Sequence, residues 1–150
     1  MIFRKTIAAA SLLGICALTL ASAPARADVS AGAGVWSQSG GTNNATGAAA
    51  LISTGRAVPV LPAEVQFTGL VPLASGGGYA LTAEGRAGAA GFYGGAGAGV
   101  GRIGGNDAAG VLTAFVGKAV APLTSVELRG YKETRSGGAS AVFAGLRFSI

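Results

Sequence analysis

Much of the chain alternates apolar and polar side chains with a period of two. That pattern marks strands whose two faces meet different surroundings. Val65, Phe67, Gly69 and Val71 share one face, against Glu64, Gln66, Thr68 and Leu70 on the other. Tyr79, Leu81, Ala83 and Gly85 oppose Ala80, Thr82, Glu84 and Arg86, and Val126 and Leu128 oppose Glu127, Arg129, Tyr131, Glu133 and Arg135. The last segment is the clearest. Ser140, Val142, Ala144, Leu146, Phe148 and Ile150 lie on one face, and Ala141, Phe143, Gly145, Arg147 and Ser149 on the other. An apolar strand face that ends without a polar tail fits lipid beside it and a first strand closing its edge.

Gly, Pro, Asn and Ser cut the chain into eight segments of strand length. They are Val29–Gln38, Gly47–Arg56, Glu64–Val71, Tyr79–Ala87, Phe92–Ile103, Gly110–Val120, Val126–Arg135 and Ala139–Ser149. Eight is the smallest count used by bacterial single-chain barrels, and a membrane strand needs about 9–11 residues. The expected fold is therefore all-β: an eight-stranded antiparallel up-and-down transmembrane β-barrel over residues 28–150. External loops are expected at 39–46, 72–78, 104–109 and 136–138, with periplasmic turns near 57–63, 88–91 and 121–125. The loops are short and built from Gly, Ser, Asn and Ala, less material than a loop-based adhesin or receptor usually presents. Two segments do not reveal their faces: Gly110–Val120 is apolar on both apart from Lys118, and Phe92–Ile103 is mostly glycine and alanine.

Composition adds to this picture. The chain has 150 residues with 27 Gly, only 5 Pro, 50% hydrophobic and 11% charged residues, too apolar for disorder. Residues 1–27 read as a cleaved export signal. Arg4 and Lys5 precede an uncharged apolar run from Thr6 to Leu20, and Ala25-Arg26-Ala27 forms a small-x-small cleavage site, with cleavage after Ala23 a second possibility. That run is short for a membrane span. Ile15 before Cys16 does not fit the lipoprotein pattern, and removal of the leader leaves no cysteine for a disulfide. Arg4, Lys5 and Arg26 leave with it, so eight basic residues face six acidic ones. No basic cluster remains that suggests nucleic acid.

Glu64, Glu84, Arg86, Glu127, Arg129 and Arg147 all fall on polar strand faces. A narrow eight-stranded barrel is filled by side chains, so these six are expected to form a paired charge network inside it. The competing reading places them as solvated charges on a soluble sandwich. Histidine is absent from the chain, which removes Ser-His-Asp and Cys-His arrangements and the usual zinc sets. A catalytic carboxylate pair among Glu64, Glu84 and Glu127 is weighed and set aside in favour of paired charges. Gly99-Val-Gly101-Arg-Ile-Gly104 matches G-x-G-x-x-G, but no helical pattern follows it. Asn106-Asp107 offers one carboxylate, a poor cation site. No cofactor, metal or catalytic residue is expected.

Gly145-Leu-Arg-Phe148-Ser-Ile150 resembles the C-terminal signature of outer-membrane β-barrel proteins, departing from it in ending on Ile150 with the aromatic two residues earlier. Tyr93-Gly-Gly-Ala-Gly-Ala-Gly99 and Val126-Glu-Leu-Arg-Gly-Tyr131 are similar to segments of opacity-type and OmpA-like eight-stranded barrels, so the likeness spans residues 28–150. The resemblance implies a Gram-negative outer-membrane location, outer-membrane lipid around the barrel, and a closing strand whose Gly145, Phe148 and Ile150 are read by the barrel-assembly machinery. It implies a structural or surface-interaction role, with the surface partner open. The enzymes among such barrels use a histidine that this chain lacks. The alternative is a soluble periplasmic or secreted β-protein that binds a small apolar ligand. Phe148 is expected as a girdle residue on the periplasmic side.

Overall fold

The computed structural model describes residues 28–42, 44–58, 63–73, 78–105 and 107–150. The expected signal segment, with Ala25 and Ala27, lies outside the described residues, as do the Pro59–Pro62 connection and Asn106. Eight strands follow one another: β1 Asp28–Ser39, β2 Ala45–Ala57, β3 Ala63–Pro72, β4 Tyr79–Ala89, β5 Phe92–Arg102, β6 Ala109–Ala121, β7 Thr124–Glu133 and β8 Ser140–Ser149. Each pairs antiparallel with the next, and β8 returns to β1 to close the barrel. Every segment read from the sequence overlaps one strand. The end of β7 is a correction: the strand stops at Glu133, and Arg135 lies in the following loop, turned back onto Glu133.

Following cross-strand partners from Val29 through Thr54, Phe67, Ala83, Ala98, Leu112, Lys132 and Ser140 returns to β1 at Ser39, ten residues on. Eight strands with that stagger tilt by about 40° and close around a lumen just wide enough for side chains. Both described ends, Asp28 and Ile150, lie at one end of the barrel with the tight turns at Ala90–Gly91 and Pro122–Leu123. We call this the terminal end. The opposite, loop end carries the connections 40–44, 73–78, 103–108 and 134–139.

The outer wall is apolar. Val35, Ile52, Phe67, Leu81, Val100, Leu112, Val116, Leu128, Val142, Leu146 and Phe148 all project outward and are exposed. The lumen holds the buried set, including Trp36, Leu70, Val111, Tyr131 and Phe143. This inversion, large apolar side chains out and both apolar and charged ones in, is what lipid around a closed barrel requires.

The structure also settles the faces of β5 and β6. On β5, Tyr93 and four glycines (Gly95, Gly97, Gly99 and Gly101) line the lumen, while Phe92, Ala96, Ala98 and Val100 face out. A side chain on Gly95 would meet the Gly85 carbonyl and the Phe115 ring, and one on Gly97 the Ala83 carbonyl and the Glu84 stem. Bulky neighbours therefore pack directly on the β5 backbone. On β6, Val111, Thr113, Phe115 and Gly117 face in, and Lys118 faces out with its ammonium 4.9 Å from the Phe92 ring.

Candidate functional site: a layered lumen

Alternation alone decides which side chains enter the barrel, and register then stacks them in layers along its axis. The middle layer is polar and centred on Arg129 of β7, which is fully buried. Its Nη1 and Nη2 donate to the two carboxylate oxygens of Glu84 on β4 at 2.5 and 3.0 Å, and its Nε donates to Glu127. The guanidinium also lies 4.2 Å from the Phe115 ring. Gln66, Thr68 and Thr82 donate to the same Glu84 carboxylate at 2.6, 2.9 and 2.6 Å. Arg147 of β8 donates to Glu127 at 3.2 Å, to Ser30 at 2.7 Å and to the Gln66 side-chain carbonyl at 3.1 Å. Ser30 and Ser53 share a further bond of 2.7 Å.

Six of the eight strands contribute polar side chains to this layer, and β6 supplies the Phe115 ring. Two buried carboxylates face two buried guanidiniums; Arg129 directs its bonds to the two carboxylates, and the other three ions also bond neutral neighbours, the condition under which such burial is tolerated. At the terminal end lies a looser second group. Arg86 Nη1 is 3.4 Å from Glu64, with both side chains about a quarter exposed (25% and 22%). The guanidinium sits 3.9 Å from the Tyr93 ring. The Tyr93 hydroxyl bonds Ser125 at 2.8 Å and donates to Glu127 at 3.0 Å, joining the two groups.

Thus the structure places Glu84, Glu127, Arg129 and Arg147 in one cluster and Glu64 with Arg86 in another. Glu84 and Glu127 are each held by guanidiniums. The sequence reading missed the neutral members, Ser30, Ser53, Gln66, Thr68, Thr82, Tyr93 and Ser125. Gln66, Thr68 and Thr82 sit on faces already read as polar, so parity alone could have found them.

Toward the loop end the lumen turns apolar: Trp36, Leu51, Leu70, Val111, Tyr131 and Phe143 fill it, with Trp36 and Tyr131 rings 5.6 Å apart. The Trp36 indole donates to Gln38 at 3.0 Å, satisfying its one polar atom. Ile103 and Ala139 close this layer from above. They are fixed by Glu133, which is buried and accepts from the backbone N–H of Ile103 at 3.0 Å and of Ala139 at 3.1 Å. Arg135 grips the same carboxylate at 2.8 and 2.9 Å. Those bonds, and then the charge of Glu133, hold the loop guanidinium of Arg135 still more firmly in its charged form. Thr42 N–H donates to Gly104 at 2.7 Å, so three of the four loops are tied together.

The remaining expected residues are found as follows. Phe148 faces outward near the terminal end, as does the exposed Ile150, and Gly145 packs its backbone against β1. Gly99 and Gly101 belong to the bare inner wall of β5, with no helix after them. Among the described residues no group of three His, Cys, Asp or Glu side chains is placed to hold a metal.

A closed eight-stranded antiparallel barrel with an apolar exterior and a lumen filled by side chains defines the class of the small outer-membrane barrels. Its architecture is similar to that of Neisserial surface protein A (NspA), at 19% identity and a TM-score of 0.58, covering 85% of this chain and 100% of that one. It is also similar to Ail, the attachment invasion locus protein of Yersinia pestis, in complex with the heparin analogue sucrose octasulfate. That match has 11% identity and a TM-score of 0.52, covering 84% and 99% of the two chains. At these identities the likeness is one of fold. No protein-family model and no curated protein sequence matches the chain.

Proposed function

We propose that the chain is an integral outer-membrane protein with a structural or surface-interaction role, and that its filled lumen makes it no diffusion pore. The observation that carries this reading is the position of the outward-facing charges. The described strands turn four charged side chains outward between Val29 and Ser149: Arg56, Lys118, Arg102 and Lys132. Arg56 and Lys118 lie toward the terminal end, Arg102 and Lys132 toward the loop end. Lys118 pairs with Phe92, and Arg102 stands ten residues up the same strand. At about 3.3 Å per residue and about 40° of tilt, that is roughly 25 Å along the barrel axis, the height of an outer-membrane apolar band. Cations at its borders reach lipid headgroups while their stems stay in the apolar zone.

The loop end faces outward from the cell in this reading and the terminal end faces the periplasm. Surrounding outer-membrane lipid is the principal partner, and the barrel-assembly machinery reads Gly145, Phe148 and Ile150 during insertion. The names of the two structural neighbours, a surface protein and an attachment protein, fit a surface role. Sulfated-ligand binding is not carried over, because Arg135 at the loop end is already held by Glu133. The soluble alternative is disfavoured by the same outer wall, which would set a continuous apolar belt in water.

Washed outer membranes run on a gel with and without boiling test the proposal. The expected result is a band in the membrane fraction whose migration changes on heating. Soluble protein with no such shift would remove it.

A further inference from the structure

Among the described residues, Ile103, Ala139 and the Glu133 clasp cover the lumen toward the loop end, and no such cover lies at the terminal end. Below the polar layer it opens at the terminal end into a vestibule of about 730 Å³, within the size range of small-ligand sites. Two described non-glycine residues have left-handed backbone, Ala90 (φ 53°) and Leu123 (φ 65°), and both line this vestibule. Leu123 follows Pro122 in a two-residue turn, at the position where a type II turn calls for glycine or asparagine. A leucine there is strained, and its side chain is 70% exposed. A strained residue that shows an apolar side chain to solvent is a candidate for a recognition role. The two described turns of the rim are held in place: Ser149 N–H donates to the Leu123 carbonyl at 2.9 Å, and Ala119 N–H to the Gly91 carbonyl at 2.8 Å. A rim already held in its binding shape loses little freedom when it is occupied.

We propose that this mouth is a docking site for a short peptide segment of a periplasmic protein, with an apolar side chain seated against Leu123. The proposal rests on the orientation given above. Three features select a peptide. The vestibule lies on the barrel axis, away from the leaflet lipids that surround the outer wall. Its floor mixes a donor, Arg86, with acceptors, Asp28 and Glu64, which suits a main chain offering both N–H and C=O groups. A wholly apolar ligand would strip water from that floor without replacing its hydrogen bonds. Among the described residues, the charged side chains lining the mouth, Asp28 and Glu64 against Arg86, leave one net negative charge, which favours basic residues beside the apolar one. The Arg86–Glu64 contact is single and long at 3.4 Å, so both groups have bonding capacity to spare.

The test uses the barrel in phosphatidylcholine nanodiscs, titrated with an acetylated, amidated pentapeptide of alternating leucine and lysine and followed by amide chemical shifts. The expected result is saturable shifts at Ala90–Gly91, Leu123 and Arg86, with weaker binding of the counterpart carrying glutamate for lysine. Leu123→Gly removes the anchor and the backbone strain together, so it should weaken binding about tenfold while the barrel unfolds no more easily than wild type. Leu123→Asn serves the same purpose if the glycine variant does not fold. Absence of saturable shifts, equal binding of the glutamate peptide, unchanged binding by both Leu123 variants, or shifts confined to the outer wall would each overturn the proposal. Reversed orientation in cells would remove the periplasmic partner but leave the binding result standing, so the two failures are distinguishable.

Discussion

Between Ser30 and Thr82 on one side and Glu127 and Arg147 on the other, the lumen is filled by ions and hydroxyls that each need a named partner. A few ångströms nearer the loop end it is filled by Trp36, Leu70, Val111 and Phe143, which need only close contact. The same alternating strands build both layers, so the difference lies wholly in which residue occupies each inward position. Errors cost differently in the two. Removing one member of the polar layer strands the charge it was holding, whereas removing one apolar side chain leaves a cavity of its own size.

The largest effect is therefore expected for Arg129→Leu, which leaves the Glu84 and Glu127 carboxylates buried without their shared cation. It should cost about 3–5 kcal/mol, read as a lower urea midpoint for the folded band in detergent. An unchanged midpoint would mean that water reaches this layer. Phe143→Ala in the apolar layer should cost about 3 kcal/mol by the same measurement, with the charge network intact. On the outer wall, Leu146→Arg places a cation in the lipid belt and should cost roughly 2–4 kcal/mol if it sits near the midplane. Full recovery of folded protein from membranes would count against the placement of that face. The smallest effect belongs to Glu64→Gln. Its pair with Arg86 is partly exposed and long, so the change should stay below about 1 kcal/mol.

How much of this could be read from residues alone depends on the contrast between the two faces of each strand. β3, β4 and β8 carry charges on one face and large apolar residues on the other, and β7 does so apart from the outward Lys132, so their orientation was legible. β5 was not, because glycine lines the lumen and alanine faces lipid, and neither residue type declares a side. β6 was ambiguous because its inward Val111 and Phe115 are as apolar as its outward Leu112 and Val116. That reflects the apolar upper lumen, where inside and outside ask for the same side chains. Glu64, Glu84, Arg86, Glu127, Arg129 and Arg147 could be read as inward-facing for the opposite reason, since charge is costly on a lipid-facing wall, whereas the buried Glu133 was not put in that network. Which of them pair was not, because Glu84 and Arg129 are 45 positions apart and meet only across the lumen. The Glu133 clasp was hidden by its dependence on backbone donors from two loops.

The proposed barrel spans the outer membrane with its loop end outside and its mouth in the periplasm. Single cysteines replacing Ser136 in the last loop and Ala119 at the mouth test it, labelled in whole cells with a polymer-linked maleimide too large for diffusion pores. The cysteine at 136 should react in intact cells, and the one at 119 only after the outer membrane is opened. Equal labelling of both positions in intact cells, or labelling in the reverse order, would contradict it.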